Sequence, residues 1–372
     1  MDFNPKIALV SDIHFGISNF SVSMFEEQMN FFEQQFFPYI IQNEIKNVIF
    51  SGDFFHSREK IDWLILDEIK DRFFAWFDSN DVFLHMLVGN HDTYYKDKIS
   101  QNSLTKTTRE YRNIIVYDKQ EVKIIEKYTI GFVPWIVDTN KEVFPKKCDI
   151  LIGHLELKDF PMIKGITGKT GYSHTKFKEY KYVFSGHYHI NFQRDNVIMI
   201  GTPYQLTWND FNTQKGFYVL DDNFGKRFIE NNTNPKFIKI WYDNGDLTVD
   251  GLSESKPISK EESLDIAKHN YVRIYVKKSD NPLALETYQA SISSISCNDY
   301  KISVVQTQDV VEDFDSSSFD EKFIEEESTL ELIIACIQGM TFEPGIDKTL
   351  LVDCAIEEYK NANDEAFNME DE

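Results

Sequence analysis

Polar and apolar positions alternate along this chain with two different periods. Lys6–Val10 is a short apolar run that predicts a strand ending at Ser11-Asp12. From Ser21 to about Ile45, Phe25, Met29, Phe32 and Phe36 recur at helical spacing, which predicts an amphipathic helix. Asn47–Phe50 predicts the next strand, ending at Gly52-Asp53. Asp62–Asn80 predicts a second helix, with Trp63, Leu66, Ile69, Phe73, Phe74 and Phe77 on its buried side. Val82–Val88 predicts a third strand, ending at Gly89-Asn90. This alternation implies an α/β layered fold, a class that binds its ligands at the carboxyl ends of strands.

From about Ile114 the apolar runs shorten. Ile114–Tyr117, Val122–Ile125, Tyr128–Phe132, Asp149–Ile152, Tyr182–Phe184, Val197–Ile200, Gly216–Leu220 and Phe237–Trp241 all predict strands. The expected fold class is therefore α/β, a sandwich of two sheets flanked by helices, over residues 1–242. Asp243-Asn244-Gly245-Asp246 is a turn signal that closes it. Beyond it, Lys260–His269 and Leu283–Ile295 predict helices and Tyr271–Val276 and Lys301–Val305 strands, a small α/β module over 243–311. An acidic tail, 312–372, carries helical patterns at Glu321–Gln338 and Lys348–Asn361, and Asn363–Glu372 has the composition of a disordered end.

Composition narrows the classes. The chain has 372 residues, 42% of them hydrophobic, with 31 phenylalanines, enough for a large core. No apolar run reaches the roughly 18 residues that a membrane span requires. Met-Asp-Phe-Asn-Pro-Lys leads straight into a strand, so no signal peptide is expected. Cys148, Cys297, Cys336 and Cys354 are scattered, which implies a reduced cytoplasm with neither a disulfide framework nor a zinc knuckle.

The net charge of −22 argues at first against a nucleic-acid partner. Its distribution weakens that argument. Residues 312–372 hold 19 of the 61 acids and 3 of the 39 bases, so the rest of the chain is only −6. Within that remainder lie two basic runs. Residues 96–112 (Lys96, Lys98, Lys106, Arg109, Arg112) are net +3, and residues 158–181 (Lys158, Lys164, Lys169, Lys176, Lys178, Lys181) are net +4. Such runs are ordinarily solvated loops. Here each follows directly on a motif of potential metal ligands, and bound cations would add local positive charge.

Those motifs are Asp12-Ile13-His14, Gly52-Asp53-Phe54-Phe55-His56, Gly89-Asn90-His91-Asp92, Gly153-His154 and Gly186-His187-Tyr188-His189. Taken singly, each is more often a turn or a polar rim. Together they place six of the nine histidines at or just beyond strand ends, the layout of a binuclear metal site. Carboxylate, amide and imidazole without thiolate suit Mn²⁺, Fe²⁺ or Zn²⁺ in a catalytic site. One bridging carboxylate would hold two ions close enough to acidify a shared water for in-line attack on phosphorus. The leaving oxygen needs a proton, and His91 and His56 are the candidates to supply it.

In this order DxH, GDxxH, GNHD, GH and GHxH resemble the signature of calcineurin-like metallophosphoesterases, over roughly residues 6–242. Most members carry GDxxD as the second motif. Here it ends in His56, as in SbcD-type repair nucleases, the meiotic-recombination-eleven family. Val133-Pro134-Trp135, Gly153-His154-Leu155-Glu156-Leu157, Ser185-Gly186-His187-Tyr188-His189 and Ile200-Gly201-Thr202-Pro203-Tyr204 look most like the nuclease subunits of T-even phage recombination complexes. After residue 243 the match to that family's capping domain and ATPase-docking region is one of architecture, not of motif.

The resemblance implies one metal held by Asp12, His14, Asp53 and His189 and a second by Asp53, Asn90, His154 and His187. His91 would protonate the leaving ribose oxygen, His56 would orient the phosphodiester, and Asp92 would support its loop. It further implies two Mn²⁺ (or Mg²⁺ or Fe²⁺ in their place), DNA as substrate, an SbcC-type coiled-coil ATPase as partner and a homodimer. Lys176, Lys178 and Lys181 are the expected DNA contacts. Two rivals stand beside this: a small-molecule phosphodiesterase or phosphatase on the same fold, and a scaffold that has lost catalysis.

Overall fold

The computed structural model describes residues 3–137, 144–163, 166–250, 255–278, 281–295, 299–304 and 351. Two six-stranded sheets face each other. The first runs in the order Lys226–Glu230, Gly216–Asp221, Pro5–Val10, Asn47–Phe50, Phe83–Leu87 and Ile114–Tyr117. Its last four strands are mutually parallel, and Gly216–Asp221 lies antiparallel on Pro5–Val10. The second runs Phe192–Arg194, Val197–Met199, Tyr182–Gly186, Ile150–His154, Tyr128–Val133 and Glu121–Ile125, with its four central strands parallel.

The period of two along a strand decides which side chains fill the gap. Ile7, Leu9, Ile49 and Leu87 from the first sheet meet Ile130, Phe132, Ile150, Ile152 and Phe184 from the second. Phe50, on the other face of its strand, touches Phe54, whose ring stacks on Phe74 of the helical layer. A second cluster, with Leu151, Leu155, Phe160, Phe177 and Val183, covers the outer face of the second sheet.

Both long helices contain a wider turn. Val22–Phe31 and Phe37–Gln42 flank a π-turn at Phe32–Phe36, and Trp63–Glu68 and Ala75–Ser79 flank one at Ile69–Phe74. Phe25, Met29, Phe32 and Phe36 are buried as expected. Trp63 and Leu66 are not. Trp63 is 81% exposed and Leu66 half-buried, while Ile65 takes the inward position. A π-turn adds a residue to the helix, so the apolar stripe upstream of it falls out of phase with the one downstream.

Phe237–Asp243, expected to finish the sandwich, instead pairs with Asp246–Asp250 and with Tyr271–Lys278. By pairing it belongs to a third, five-stranded sheet whose order is Ser255–Ile258, Asp246–Asp250, Phe237–Asp243, Tyr271–Lys278 and Asp299–Val304. Ile240, Val272, Ile274 and Val276 pack there with Ala267, Tyr288 and Ile292 of the helices Lys260–His269 and Pro282–Ser293. The turn at Asp243–Asp246 is thus a hairpin inside this sheet, where a hydrophobic pattern alone gives no sign of which sheet a strand will join. The helical patterns at Glu321–Gln338 and Lys348–Asn361 lie outside the described residues, apart from Leu351. Among the described residues no helix is long and apolar enough to cross a membrane.

Candidate metal centre

The five motifs meet at the carboxyl ends of the parallel strands of both sheets. Asp12 and His14 follow Pro5–Val10, Asp53 follows Asn47–Phe50, and Asn90 and His91 follow Phe83–Leu87. His154 ends Ile150–His154, and His187 and His189 follow Tyr182–Gly186. Asp12, His14 and His189 form one group of donors, Asp53, His154 and His187 a second, and His14, His56 and His91 a third. Within each group the donor atoms lie within 4.8 Å of one another.

Asp53 sits between the first two groups. Its Oδ2 is 3.8 Å from His14 Nε2 and 3.3 Å from His154 Nε2, and its Oδ1 accepts the backbone N–H of His91 at 2.9 Å. Asn90 Oδ1 is 2.8 Å from His154 Nε2 and 3.0 Å from His187 Nδ1, and the Nε2 atoms of His14 and His189 are 3.1 Å apart. His154 Nδ1 donates to the carbonyl of Ser51 at 2.8 Å. With Nδ1 committed to that bond, loss of the other ring proton would turn Nε2 into a lone pair that, together with the neighbouring oxygen of Asn90, could be shared by one cation. Asp12 Oδ1 accepts the N–H of His187, while its Oδ2 is buried without a hydrogen-bond partner. An orphaned carboxylate oxygen and converging lone pairs fit divalent cations, and the set is all oxygen and nitrogen.

Electrostatics say the same. Burial pushes the Asp12 carboxyl up to about 7. Asp53 is buried too, yet His154, His91 and His14 around it hold it well below the usual carboxylate range. Burial opposes charge on His154, but Asp53 and Asp12 lift it to about 9. His187 and His189 are pushed down to about 3 and about 4 by desolvation, with His154 adding to the first. His187 and His189 are thus held neutral, as metal ligation requires, whereas His154 and Asp12 hold protons that a bound cation would displace.

Backbone geometry keeps these groups close. Asp12, His14, Asp53 and His187 have φ of 53°, 53°, 60° and 95°, a left-handed conformation that costs a non-glycine residue roughly 1–2 kcal/mol. Gly52 is left-handed as well, with φ of 100°. Gly89 answers a different need: a Cβ there would lie 2.2 Å from Asp53 Oδ1. The turn readily inferred from a leading glycine is at Gly89 a requirement for space.

Asp92 does not face the donors. Its Oδ2 accepts from the N–H groups of Asp53 and Gly89 and its Oδ1 from those of Phe54 and Phe55. His91 Nδ1 is 2.7 Å from the carbonyl of His56, and the two rings stack with centroids 5.6 Å apart. The ring of Trp135 lies 5.0 Å from that of His187. Lys215 and Asp210, which no motif singles out, form a buried pair behind His189. Lys215 Nζ donates to the His189 carbonyl at 2.8 Å and to Asp210 Oδ1 at 2.5 Å.

The basic runs are not brought to the site as wholes. Each links the carboxyl end of one parallel strand to the amino end of another, so it starts at the site and ends at the opposite rim of its sheet. Lys96, Lys98 and Lys158 lie near the donors in sequence. Arg112 precedes Ile114–Tyr117. Lys181 precedes Tyr182–Gly186, six residues before His187, or roughly 20 Å of extended chain. Lys176 Nζ lies over the rings of Phe144 and Tyr172.

Residues 5–191 match the family model described as calcineurin-like phosphoesterase. The chain is 31% identical over 234 residues to exonuclease subunit 1 of Enterobacteria phage T4, covering 61% of this chain and 68% of that protein. It is 23% identical over 281 residues to the DNA double-strand break repair protein Mre11 of Nanoarchaeum equitans (strain Kin4-M), covering 68% and 74%. A crystal structure of Pseudomonas putida nuclease MPE aligns at 16% identity over 68% of this chain and 87% of that one, with a TM-score of 0.25. The chain belongs to the calcineurin-like phosphoesterases, and it is a metal-dependent phosphodiesterase of the SbcD type, on the side of the phage exonuclease subunit.

Proposed function

We propose that this protein is a manganese-dependent DNA nuclease subunit, exonuclease on duplex ends and endonuclease on single strands, acting in recombination and double-strand-break processing. Its partner is an SbcC-type coiled-coil ATPase, its place the cytoplasm (that of the bacterial host if phage-encoded), and its form a homodimer joined through helices of the first domain, where Trp63 and Leu64 are exposed. Three domains follow the chain, a nuclease domain to about residue 236, a capping domain from Phe237, whose strand pairs in the third sheet, to about 311, and an ATPase-docking tail. The observation that carries the catalytic part is Asp53 Oδ2, which faces His14 Nε2 and His154 Nε2 at once. The nucleic-acid part is supported by what the two similar proteins are called, an exonuclease subunit and a break-repair protein.

In this scheme Asp12, His14, Asp53 and His189 hold one cation and Asp53, Asn90, His154 and His187 the other. Such a pair supplies Lewis-acid polarisation of the phosphodiester and an acidified water as nucleophile. The remaining work falls to the chain. In its imidazolium form His91 keeps Nδ1–H on the His56 carbonyl and has Nε2–H to hand to the leaving ribose oxygen. His56, stacked on that ring, orients the phosphodiester. Asp92 holds the Asp53 loop, and Trp135 shields His187 from water.

Degradation of linear duplex DNA, compared with turnover of bis(p-nitrophenyl) phosphate, tests the proposal. Manganese-dependent cleavage of both is expected, and co-purification with a co-expressed coiled-coil ATPase tests the partner. Hydrolysis of the small diester alone would favour a small-molecule phosphodiesterase, and hydrolysis of neither a scaffold.

A further inference from the structure

A hairpin grows directly from the loop that carries Asn90 and His91. Thr93–Tyr95 pairs with Lys98–Asn102, and the base is clamped where the Asp92 carbonyl accepts the Ser103 N–H at 2.8 Å and the Asn90 carbonyl accepts the Thr93 hydroxyl at 2.9 Å. The buried Thr93 and Asn102 tie this base to the domain. At the other end Tyr94 and Tyr95 are 51% and 43% exposed. A tyrosine ring carries a large apolar area that folding normally covers. Here two adjacent rings are left in water on one small element.

We propose that this hairpin is a stacking subsite for unpaired bases of the strand whose phosphate occupies the metal centre. The proposal rests on the nuclease function argued above and deepens it. The pairing is irregular between Thr93 and Tyr95, so the strict alternation of a strand is broken and Tyr94 and Tyr95 form one continuous aromatic surface. Their rings lie edge to face, with centroids 4.8 Å apart. Lys98 Nζ sits 5.1 Å from the Tyr95 centroid, and Lys96 is exposed at the turn. Tyr95 lies five positions beyond Asn90, at most about 18 Å of chain, a span of a few nucleotides. Between 94 and 98 the hairpin exposes two rings, two ammonium groups, the Asp97 carboxylate and no aliphatic side chain, and Ile99 is half-buried. That composition suits base stacking with phosphate neutralisation better than docking of an apolar protein surface, whose core is depleted of lysine.

The test uses the full chain and single-stranded oligonucleotides made uncleavable by phosphorothioate linkages, with 2-aminopurine at successive positions. Fluorescence of the base next to the bound phosphate is expected to be quenched by the wild-type protein. The double variant Tyr94→Leu/Tyr95→Leu keeps the apolar bulk and is expected to lose the quench and bind roughly ten-fold or more weakly. The double variant Tyr94→Phe/Tyr95→Phe keeps the π-faces and is expected to restore both. A leucine variant that binds and quenches like wild type would overturn the proposal. So would one that binds DNA normally but no longer co-purifies with the ATPase, since the hairpin would then be a protein contact. Wild-type protein that binds the oligonucleotide without any quench overturns the stacking subsite alone. Wild-type protein that binds no DNA while hydrolysing bis(p-nitrophenyl) phosphate overturns the nuclease function with it.

Discussion

The carboxylate of Asp92 holds the backbone of Asp53: its Oδ2 accepts the Asp53 N–H at 2.9 Å, and three further N–H groups of Gly89, Phe54 and Phe55 converge on the same side chain. The residue at the end of the third motif therefore fixes the carboxylate of the second. Asp92→Ala would leave four buried donors without acceptors. Such a loss is expected to cost about 3–5 kcal/mol, read as a fall in the urea midpoint. Manganese binding, followed by titration calorimetry, should weaken in parallel. Unchanged stability would mean that water replaces the carboxylate fully.

Asp53 and His91 are expected to fail in different ways. Asp53 Oδ2 faces both donor groups, so Asp53→Asn should lose both metals, as measured by elemental analysis of the purified protein. His91 meets the site through its ring and through its backbone N–H on Asp53 Oδ1, a bond that a side-chain change leaves intact. His91→Asn should therefore keep its metals and lose roughly 10²- to 10⁴-fold in hydrolysis, the usual worth of a positioned acid. Loss of metal from His91→Asn would make it a ligand instead.

How much of this was legible in the chain differs from group to group. The donors were, because each ends an apolar run and parallel strands deliver their carboxyl ends to one rim. Trp63 was misplaced because a π-turn at Ile69–Phe74 breaks the helical period, and nothing in the sequence marks where such a turn inserts. Phe237–Asp243 reads as a strand but not as a strand of the third sheet, since pairing partners are chosen by tertiary contacts. Lys215 and Asp210 carry no local signal at all: a lysine before a strand is ordinarily solvated, and only the fold buries it behind His189.

The same topology sorts the lysines. Charge reversal of Lys96 and Lys98, next to the donors in sequence, should weaken DNA binding and lower the slope of log affinity against log salt by roughly one for each phosphate no longer neutralised. Charge reversal of Lys178 and Lys181, at the far end of Tyr182–Gly186, should change the slope less. Filter binding across a salt series checks the order. A larger effect at Lys178 and Lys181 would mean that DNA follows the outer face of the second sheet.

His85 gives the fold a pH dependence away from the metal centre. Its Nδ1 is 2.9 Å from the Tyr117 hydroxyl and its ring is buried. Burial, with Lys123 nearby, lowers its pKa from 6.5 to about 4. The folded pKa lies below the unfolded one, so this contribution is fully present above pH 6.5. It falls as the pH drops from 6.5 towards 4, by about 3 kcal/mol in all. His85→Gln keeps a polar partner for Tyr117 but does not titrate. The difference in unfolding free energy between wild type and His85→Gln should therefore change over that window and stay flat above it.

The pair behind His189 carries the last prediction. Lys215 is 5% exposed and Asp210 4%. Lys215 Nζ reaches the His189 carbonyl, the Thr202 hydroxyl and Asp210 Oδ1, while Asp210 Oδ2 accepts the N–H groups of Leu206 and Thr207. A buried pair contributes little net stability when intact but is costly to break, because the surviving charge is left unpaired. Lys215→Met should cost about 3–5 kcal/mol and loosen the segment that presents His189, so that manganese affinity falls with it. Adding Asp210→Asn removes the stranded charge and keeps an oxygen for one or both N–H groups, so the double variant should recover part of the stability. Its manganese affinity should stay low, because the donor to the His189 carbonyl is still missing. Urea unfolding and manganese titration of the three proteins separate the two effects, and recovery of both in the double variant would show that Lys215 does no more than neutralise Asp210.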